Sequence, residues 1–297
     1  MKERSSFRGA GTALVTPFTR KGELDEAAMR RLVKRQVEGG IDFLVPCGTT
    51  GETPTLSSAE QERVVALTLE EAAGRVPVLA GAGSNDTRKA CEQAKTMAGL
   101  GARGVLSVGP YYNKPTPEGF LRHFSAVADA SPVPVVVYNV PGRTGSNIDA
   151  KTLLRIAEHP NVAAVKEASG SLGQIMEILR DRPQGFGVLS GDDAFTLAVM
   201  AHGGEGVISV VSNQVPREMH ELAAAGLRGD FAEARRIHDR LLELMNLNFV
   251  ESNPIPVKAS LALLGLCEET FRLPLCPPRE TTREALRGAL RGLGLLP

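Results

Sequence analysis

The sequence predicts an α/β protein, a closed (β/α)8 barrel of the TIM type with a C-terminal helical appendix. Three observations carry that prediction. Short valine-rich apolar runs recur at intervals of roughly thirty residues. Amphipathic stretches that begin at an Asp, Ser or Asn fill the gaps between them, and the strand signal stops after about residue 226.

Strands are expected at "AGTALVTPF" (10–18), "DFLVPCG" (42–48), "VPVLAGAG" (76–83) and "GVLSVGP" (104–110). Four more are expected at "VPVVVYNVP" (133–141), "VAAVKEAS" (162–169), "FGVLSG" (186–191) and "EGVISVV" (205–211). Near-continuous apolar character is what parallel strands buried on both faces require. The stretches "DEAAMRRLVKRQVEGG", "SSAEQERVVALTLEEAAG" and "NDTRKACEQAKTMAGLGA" supply amphipathic crossovers, several ending at glycine. Eight such units fit a closed barrel better than an open doubly wound sheet, which usually shows GxGxxG after its first strand. Here that turn reads "VTPFTRKGE", and the nearest glycine cluster, "GAGSND" at 81–86, follows the third strand and lacks the last glycine.

Beyond the barrel, "DFAEARRIHDRLLELMNL", "IPVKASLALLGL" and "PRETTREALRGALRGLG" read as three helices. The expected organisation is a catalytic barrel over 1–226 and a three-helix domain over 227–297 packed on it.

Thirty-four basic residues balance thirty-four acidic ones, with no basic patch and no tryptophan, so nucleic acid is not an expected partner. The start, "MKERSSFRGAGTALVTPF", has no uninterrupted apolar core of a signal peptide, and no apolar run is long enough to span a membrane. Cys47, Cys91, Cys267 and Cys276 are scattered without metal-site spacing and read as reduced thiols, which places the chain in the cytoplasm.

In a barrel of this kind the active site lies at the carboxyl ends of the strands. The polar residues there are Thr16, "CGTTGE" (47–52), Tyr111 and Tyr112, Tyr138 with Arg143, Lys166, "SGDD" (190–193) and Ser209. No metal is expected. His123, His159, His202, His220 and His238 fall in helices or helix ends without ligand spacing and read as solvated. Asp192 and Asp193 are open to two readings, a divalent-ion site or acids in the first turn of a helix. No GxSxG elbow is present for a serine hydrolase.

Lys166 ends the apolar run "NVAAVK". Outward between helices it would be structural. Inward, in a low-dielectric pocket, its ammonium form would be disfavoured and its neutral amine available for a Schiff base with a carbonyl compound. Such chemistry needs a proton shuttle and a carboxylate clamp. Tyr138, one strand earlier at equivalent height, is a hydroxyl suited to the first, or an amphipathic tyrosine at a strand end. The GTTGE turn offers backbone N–H groups and two hydroxyls to a carboxylate, or is simply a strand-to-helix turn. Arg143 offers a planar fork for a second carboxylate, or is a solvated loop arginine.

With these residues, the chain resembles the dihydrodipicolinate synthase / N-acetylneuraminate lyase family of class I aldolase-like barrels. The segments that carry the resemblance are "GTTGE" (48–52), "PYYNKPTPEG" (110–119), "YNVPGRTG" (138–145), "VKEASG" (165–170), "SGDD" (190–193), "GGEGVIS" (203–209) and "NPIPVK" (253–258). They stand in family order and cover nearly the whole chain. The resemblance implies that pyruvate forms a Schiff base with Lys166 and that Tyr138 is the general acid/base. It implies a hydroxyl relay completed by Thr49 and Tyr112, with Tyr111 reaching across a dimer interface. It further implies that Thr50 holds the pyruvate carboxylate, that Ile208 and Gly191 line the substrate pocket, and that the chain forms a homotetramer of tight dimers without a cofactor.

Arg143 resembles the arginine by which synthases in this family receive the carboxylate of aspartate semialdehyde. The reaction so implied is condensation of pyruvate with L-aspartate 4-semialdehyde, at the entry to diaminopimelate and lysine synthesis. The alternative within the family is a pyruvate-dependent aldolase cleaving a 2-keto-3-deoxy sugar acid or a hydroxy-oxoglutarate, which would not need Arg143. A third reading is a catalytically dead barrel used for binding. Where lysine-inhibited relatives carry acidic or imidazole groups, this chain has Ser58, Gln61 and Lys89, so weak or absent lysine inhibition is expected.

Overall fold

Each strand in the computed structural model, which describes residues 7–297, alternates one side chain inward and the next toward a helix. The first half runs β1 (Gly9–Ala13), α1 (Glu26–Glu38), β2 (Phe43–Val45), α2 (Ser58–Ala72), β3 (Leu79–Gly81), α3 (Thr87–Gly99), β4 (Gly104–Val108) and α4 (Pro117–Ala130). The second half runs β5 (Val135–Asn139), a short α5 (Pro141–Thr144), α6 (Ala150–Ala157), β6 (Val162–Glu167), α7 (Leu172–Asp181), β7 (Gly187–Ser190), α8 (Thr196–Ala201), β8 (Gly206–Ser209) and α9 (Pro216–Leu227). Three C-terminal helices follow: α10 (Phe231–Leu247), α11 (Ile255–Leu263) and α12 (Glu280–Gly292). Residues 1–6, part of the start read as leaderless, lie outside the described residues.

The eight strands form one parallel sheet in the order β2-β1-β8-β7-β6-β5-β4-β3. A parallel bridge between Leu44 and Val78 brings its two edges together, so the expected barrel is observed. Two apolar layers follow from the alternation. Val136, Tyr138, Ala164, Leu189 and Ile208 pack inside the barrel, while Val135, Val137, Val165 and Val188 pack against the helices. Helices start where their caps predict: Asp25 accepts from the Ala28 N–H at 2.9 Å, Ser57 and Glu60 form a capping box, and Asp86 accepts from the Arg88 N–H at 2.9 Å.

The strands end earlier than expected. The first stops at Ala13, so Thr16 stands on a loop, although it is buried. Apolar composition misleads here for a physical reason. Val15 packs with Val210, Val257 and Leu261, beneath the C-terminal helices, and a buried loop needs the same side chains as a buried strand. Thr16 instead ties loops together, its hydroxyl donating to the Gly51 carbonyl at 2.7 Å.

Several contacts join the appendix to the barrel mouth, one of them a buried ion pair. Lys258 on α11 and Glu52, just after the GTT turn, form an ion pair in which both side chains are wholly buried. Burial disfavours the Lys258 ammonium, and the Glu52 carboxylate opposes that. The ammonium also donates to the Thr270 carbonyl at 2.9 Å and lies 4.2 Å from the Phe18 ring centroid. Arg272 adds a second clasp: it stacks on Phe18 at 4.3 Å and donates to Glu60 Oε1 at 2.5 Å and Oε2 at 2.9 Å. That carboxylate is held down at about 2 by Arg272.

Two of the histidines are not solvated as expected. His123 and His238 are buried. His238 Nε2 bonds the Ala194 carbonyl at 2.9 Å, and His123 Nδ1 bonds the Thr87 hydroxyl at 3.0 Å while its Nε2 has no partner among the described residues. Burial pushes His123 down to about 4.

Two predictions follow from this packing. Removing one member of a buried pair strands the other charge, at a cost of about 3–5 kcal/mol. Lys258→Met and Glu52→Gln singly should therefore each lower the denaturation midpoint more than the Glu52→Gln/Lys258→Met double variant, measured by urea unfolding. For His123 the folded-state value lies below the usual 6.5, so the unfolded chain takes up the proton first. Stability should then fall as pH drops from 6.5 to 4, by up to about 3 kcal/mol. His123→Leu should flatten that part of the pH–stability curve relative to the unsubstituted protein.

Candidate active site at the carboxyl ends of the strands

Lys166 stands two residues after Ala164 on β6, so it shares the inward face and points into the barrel. It is 5% exposed, and its Nζ lies 4.2 Å from the ring centroid of Tyr138, its direct register partner on β5. Tyr138 is 6% exposed. Of the two orientations the sequence left open for Lys166, the inward one is observed.

The neighbouring residues of the two strands face the other way and fix their ends. The Asn139 amide donates to Glu167 Oε2 at 3.0 Å, the Ser169 N–H donates to Glu167 Oε1 at 2.7 Å, and Gln174 donates to Glu167 Oε2 at 3.3 Å. Burial raises the Glu167 carboxyl above its ordinary range, against the pull of these donors. Asn139 Oδ1 in turn accepts the Ile148 N–H at 3.1 Å. The carboxyl ends of β5 and β6, and with them Tyr138 and Lys166, are thereby held in register.

Opposite them, Thr49–Gly51 forms a single 3₁₀ turn, and Glu52 takes a left-handed conformation, φ +53°, at its end. The Gly51 and Glu52 N–H groups close the turn on Gly48 and Thr49, which leaves the N–H groups at its start unused, as at any helix start. The Asn253 amide donates to Thr50 Oγ1 at 3.0 Å. Arg143, on α5, donates from Nη2 to the Asn253 carbonyl at 3.0 Å.

These groups share a cavity of about 420 Å³, with Lys166, Tyr138, Thr49, Thr50, Arg143 and Gly191 on its wall. Phe249, Ser252 and Asn253 complete it from the C-terminal region. A second cavity of about 370 Å³ lies on the far side of Thr49, Tyr138, Val140 and Arg143, which border both. Tyr111 and Gln61 face that second space. Ser58 and Lys89 are exposed and do not line it.

Two expected positions fall elsewhere. Tyr112 is 89% exposed at φ +72° and lies on neither cavity wall, whereas Tyr111, 41% exposed, does. The chain alone therefore does not bring Tyr112 to Thr49 and Tyr138. Ile208 is wholly buried in the same inner cluster as Tyr138, beneath the cavity rather than on its wall. Asp193 is buried and holds the chain leaving β8, accepting the Val210 and Val211 N–H groups at 3.0 and 2.9 Å; burial pushes it up to about 6. Asp192 caps the short turn that follows it, accepting from the Ala194 N–H at 2.9 Å.

Gly191 has a steric reason. A Cβ built there would stand 2.6 Å from the Ala168 Cβ and 3.2 Å from the Lys166 Cε. Glu52, Asn253 and Lys258 also shape the site, although local sequence assigns them no part. A lysine within the apolar run "NPIPVKASLAL" is the same signal as Lys166 in "NVAAVKEAS".

The model of the dihydrodipicolinate synthetase family matches residues 6–292. The 4-hydroxy-tetrahydrodipicolinate synthase of Koribacter versatilis is 56% identical over 98% of this chain and 97% of its own length. That of Prosthecochloris aestuarii is 52% identical over 98% of this chain and 99% of its own. The crystal structure of dihydrodipicolinate synthase from Thermotoga maritima superposes with a TM-score of 0.96 at 47% identity, covering 98% of this chain and 100% of that one.

Because the Gly191 position leaves no room beside the lysine stem, Gly191→Ala should displace Lys166. A small-to-large change in a packed site costs about 1–3 kcal/mol. The variant should stay folded by circular dichroism while the rate of pyruvate adduct formation falls at least about tenfold.

Proposed function

The chain belongs to the dihydrodipicolinate synthetase family, and we propose that Lys166 is the amine with which it captures pyruvate. The activity is that of a Schiff-base-forming lyase at the entry step of diaminopimelate and lysine synthesis: pyruvate and L-aspartate 4-semialdehyde give 4-hydroxy-tetrahydrodipicolinate and water. The observation that carries the assignment is the buried Lys166–Tyr138 pair, 4.2 Å from nitrogen to ring centroid, on the wall that also holds Thr50 and Arg143.

The unprotonated Lys166 Nζ attacks the keto carbon of pyruvate, and the keto oxygen leaves as water once it has been protonated. Tyr138 is the group at hand to give and take those protons. The imine draws electrons from the adjacent methyl, which loses a proton to become an enamine. The enamine carbon attacks the aldehyde, whose oxygen is protonated to a hydroxyl. The amine of the second substrate then attacks the imine carbon, and Lys166 leaves as the ring closes. Thr50 holds the pyruvate carboxylate, and Arg143 receives the carboxylate of the aldehyde through its planar fork. Gly191 gives the Lys166 stem its space, and Ile208 supports the floor.

In the relay we keep Tyr112 as the member beyond Thr49 and assign to it, rather than to Tyr111, the crossing between two copies. Tyr111 belongs to the wall of its own chain, which Thr49 and Tyr138 divide from the imine. Tyr112 projects into solvent and reaches a Thr49–Tyr138 pair only by entering that of a second copy. This supports a dimer as the working unit, within a homotetramer. No helix among the described residues is long and apolar enough to cross a membrane, and a cytoplasmic enzyme is the reading we favour.

The assignment of Arg143 is tested by steady-state kinetics with both substrates. Truncating a charged anchor for a carboxylate costs about 2–5 kcal/mol. Arg143→Ala should therefore raise KM for L-aspartate 4-semialdehyde by at least about thirtyfold while half-saturation by pyruvate stays within about twofold. An equal effect on both substrates would assign Arg143 to the pyruvate half instead.

A further inference from the structure

We propose that Asn253, which leads into α11, is a positioning residue that directs both carboxylate-holding groups and so couples the two halves of the site. The inference rests on the reading of Thr50 and Arg143 as those groups.

Asn253 is 5% exposed and touches two separate elements. Its amide nitrogen donates to Thr50 Oγ1 at 3.0 Å, and its backbone carbonyl accepts from Arg143 Nη2 at 3.0 Å. A hydroxyl has one proton to give and two lone pairs with which to accept. With one lone pair engaged by the amide, the Thr50 O–H must turn away from Asn253, and its proton is free for an acceptor in the cavity that Thr50 shares with Lys166. A carboxylate is that acceptor. Arg143 spends one N–H on the Asn253 carbonyl, which fixes the plane of the fork and leaves its other donors for an anion.

Asn253 is itself held rigidly. Lys258, five residues further on, is locked to Glu52, two residues beyond Thr50, in the wholly buried ion pair. Two rungs thus join the same two segments, and the ion pair limits how far the Thr50–Asn253 rung can separate. Asn253 Oδ1 is buried with no partner among the described residues. An unsatisfied buried acceptor costs about 1–3 kcal/mol, so the amide is a poor choice for packing alone. Its nitrogen is the part in use.

The test separates pyruvate from aldehyde. Half-saturation by pyruvate alone is read from borohydride-trapped adduct by mass spectrometry, and KM for L-aspartate 4-semialdehyde from steady-state rates. Loss of a directing hydrogen bond is worth about tenfold. Asn253→Ala should raise the pyruvate half-saturation by that factor and the aldehyde KM by at most about threefold, because the backbone carbonyl that Arg143 contacts is kept and only its position is loosened. Asn253→Ser, which retains a short donor and keeps the assay open if the alanine variant is unstable, should show smaller increases in both. In a Thr50→Val background, Asn253→Ala should produce no further rise in pyruvate half-saturation, because its partner is gone. Unchanged half-saturations in both Asn253 variants beside a normal loss in Thr50→Val would overturn the inference alone, as would effects that multiply in the double variant. A Thr50→Val variant with unaltered pyruvate half-saturation would overturn the assignment of Thr50, and this inference with it.

Discussion

The buried ion pair between Glu52 and Lys258 is the contact on which the mouth of this barrel depends. A βα loop is ordinarily free to take several conformations, and a turn ending in a left-handed glutamate is an unfavourable one. Here the glutamate side chain is drawn beneath the C-terminal helices and neutralised there. The backbone of Thr49–Gly51 has to follow. Because α11 carries Lys258 and the segment leading into it carries Asn253, one piece of chain sets both the shape of the turn and the direction of its hydroxyl. The C-terminal helices therefore belong to the active site in a physical sense, although they contribute no strand to the barrel.

Across the cavity a different constraint applies. Strand alternation puts Tyr138 and Lys166 on the inner face as register partners, and their successors, Asn139 and Glu167, on the outer face. The outer pair is saturated with hydrogen bonds and fixes the strand ends, so the inner pair is held without any ion pair to Lys166 among the described residues. The Lys166 side chain thus stands on the cavity wall untied to any carboxylate among the described residues. The bare Gly191 backbone beside the lysine stem completes the arrangement, since any side chain would occupy that space.

Much of this was legible in the sequence, and the failures have common physical causes. Valine-rich runs revealed all eight strands because parallel strands are buried on both faces, but the same apolar demand extends into loops covered by the appendix, so strand ends were placed too late. Lys166 was noticed because a lysine in an apolar run is costly. Lys258 satisfies the same criterion and was passed over, since nothing local to "NPIPVK" reveals that its partner is Glu52, some two hundred residues earlier. His123 and His238 were read as solvated because helix position alone does not tell which face is covered. Tyr111 and Tyr112 are neighbours in sequence but differ in direction, and only the backbone conformation at Tyr112 separates them.

Two lysines in this barrel are nearly or wholly buried, with opposite chemistry in the proposed mechanism: Lys166 is the amine that meets pyruvate, and Lys258 is paired with Glu52. Borohydride reduction in the presence of pyruvate, followed by peptide mapping by mass spectrometry, distinguishes them directly. A single pyruvyl adduct per chain, on Lys166, is the expected result. An adduct on Lys258, on any other lysine, or on none would contradict it.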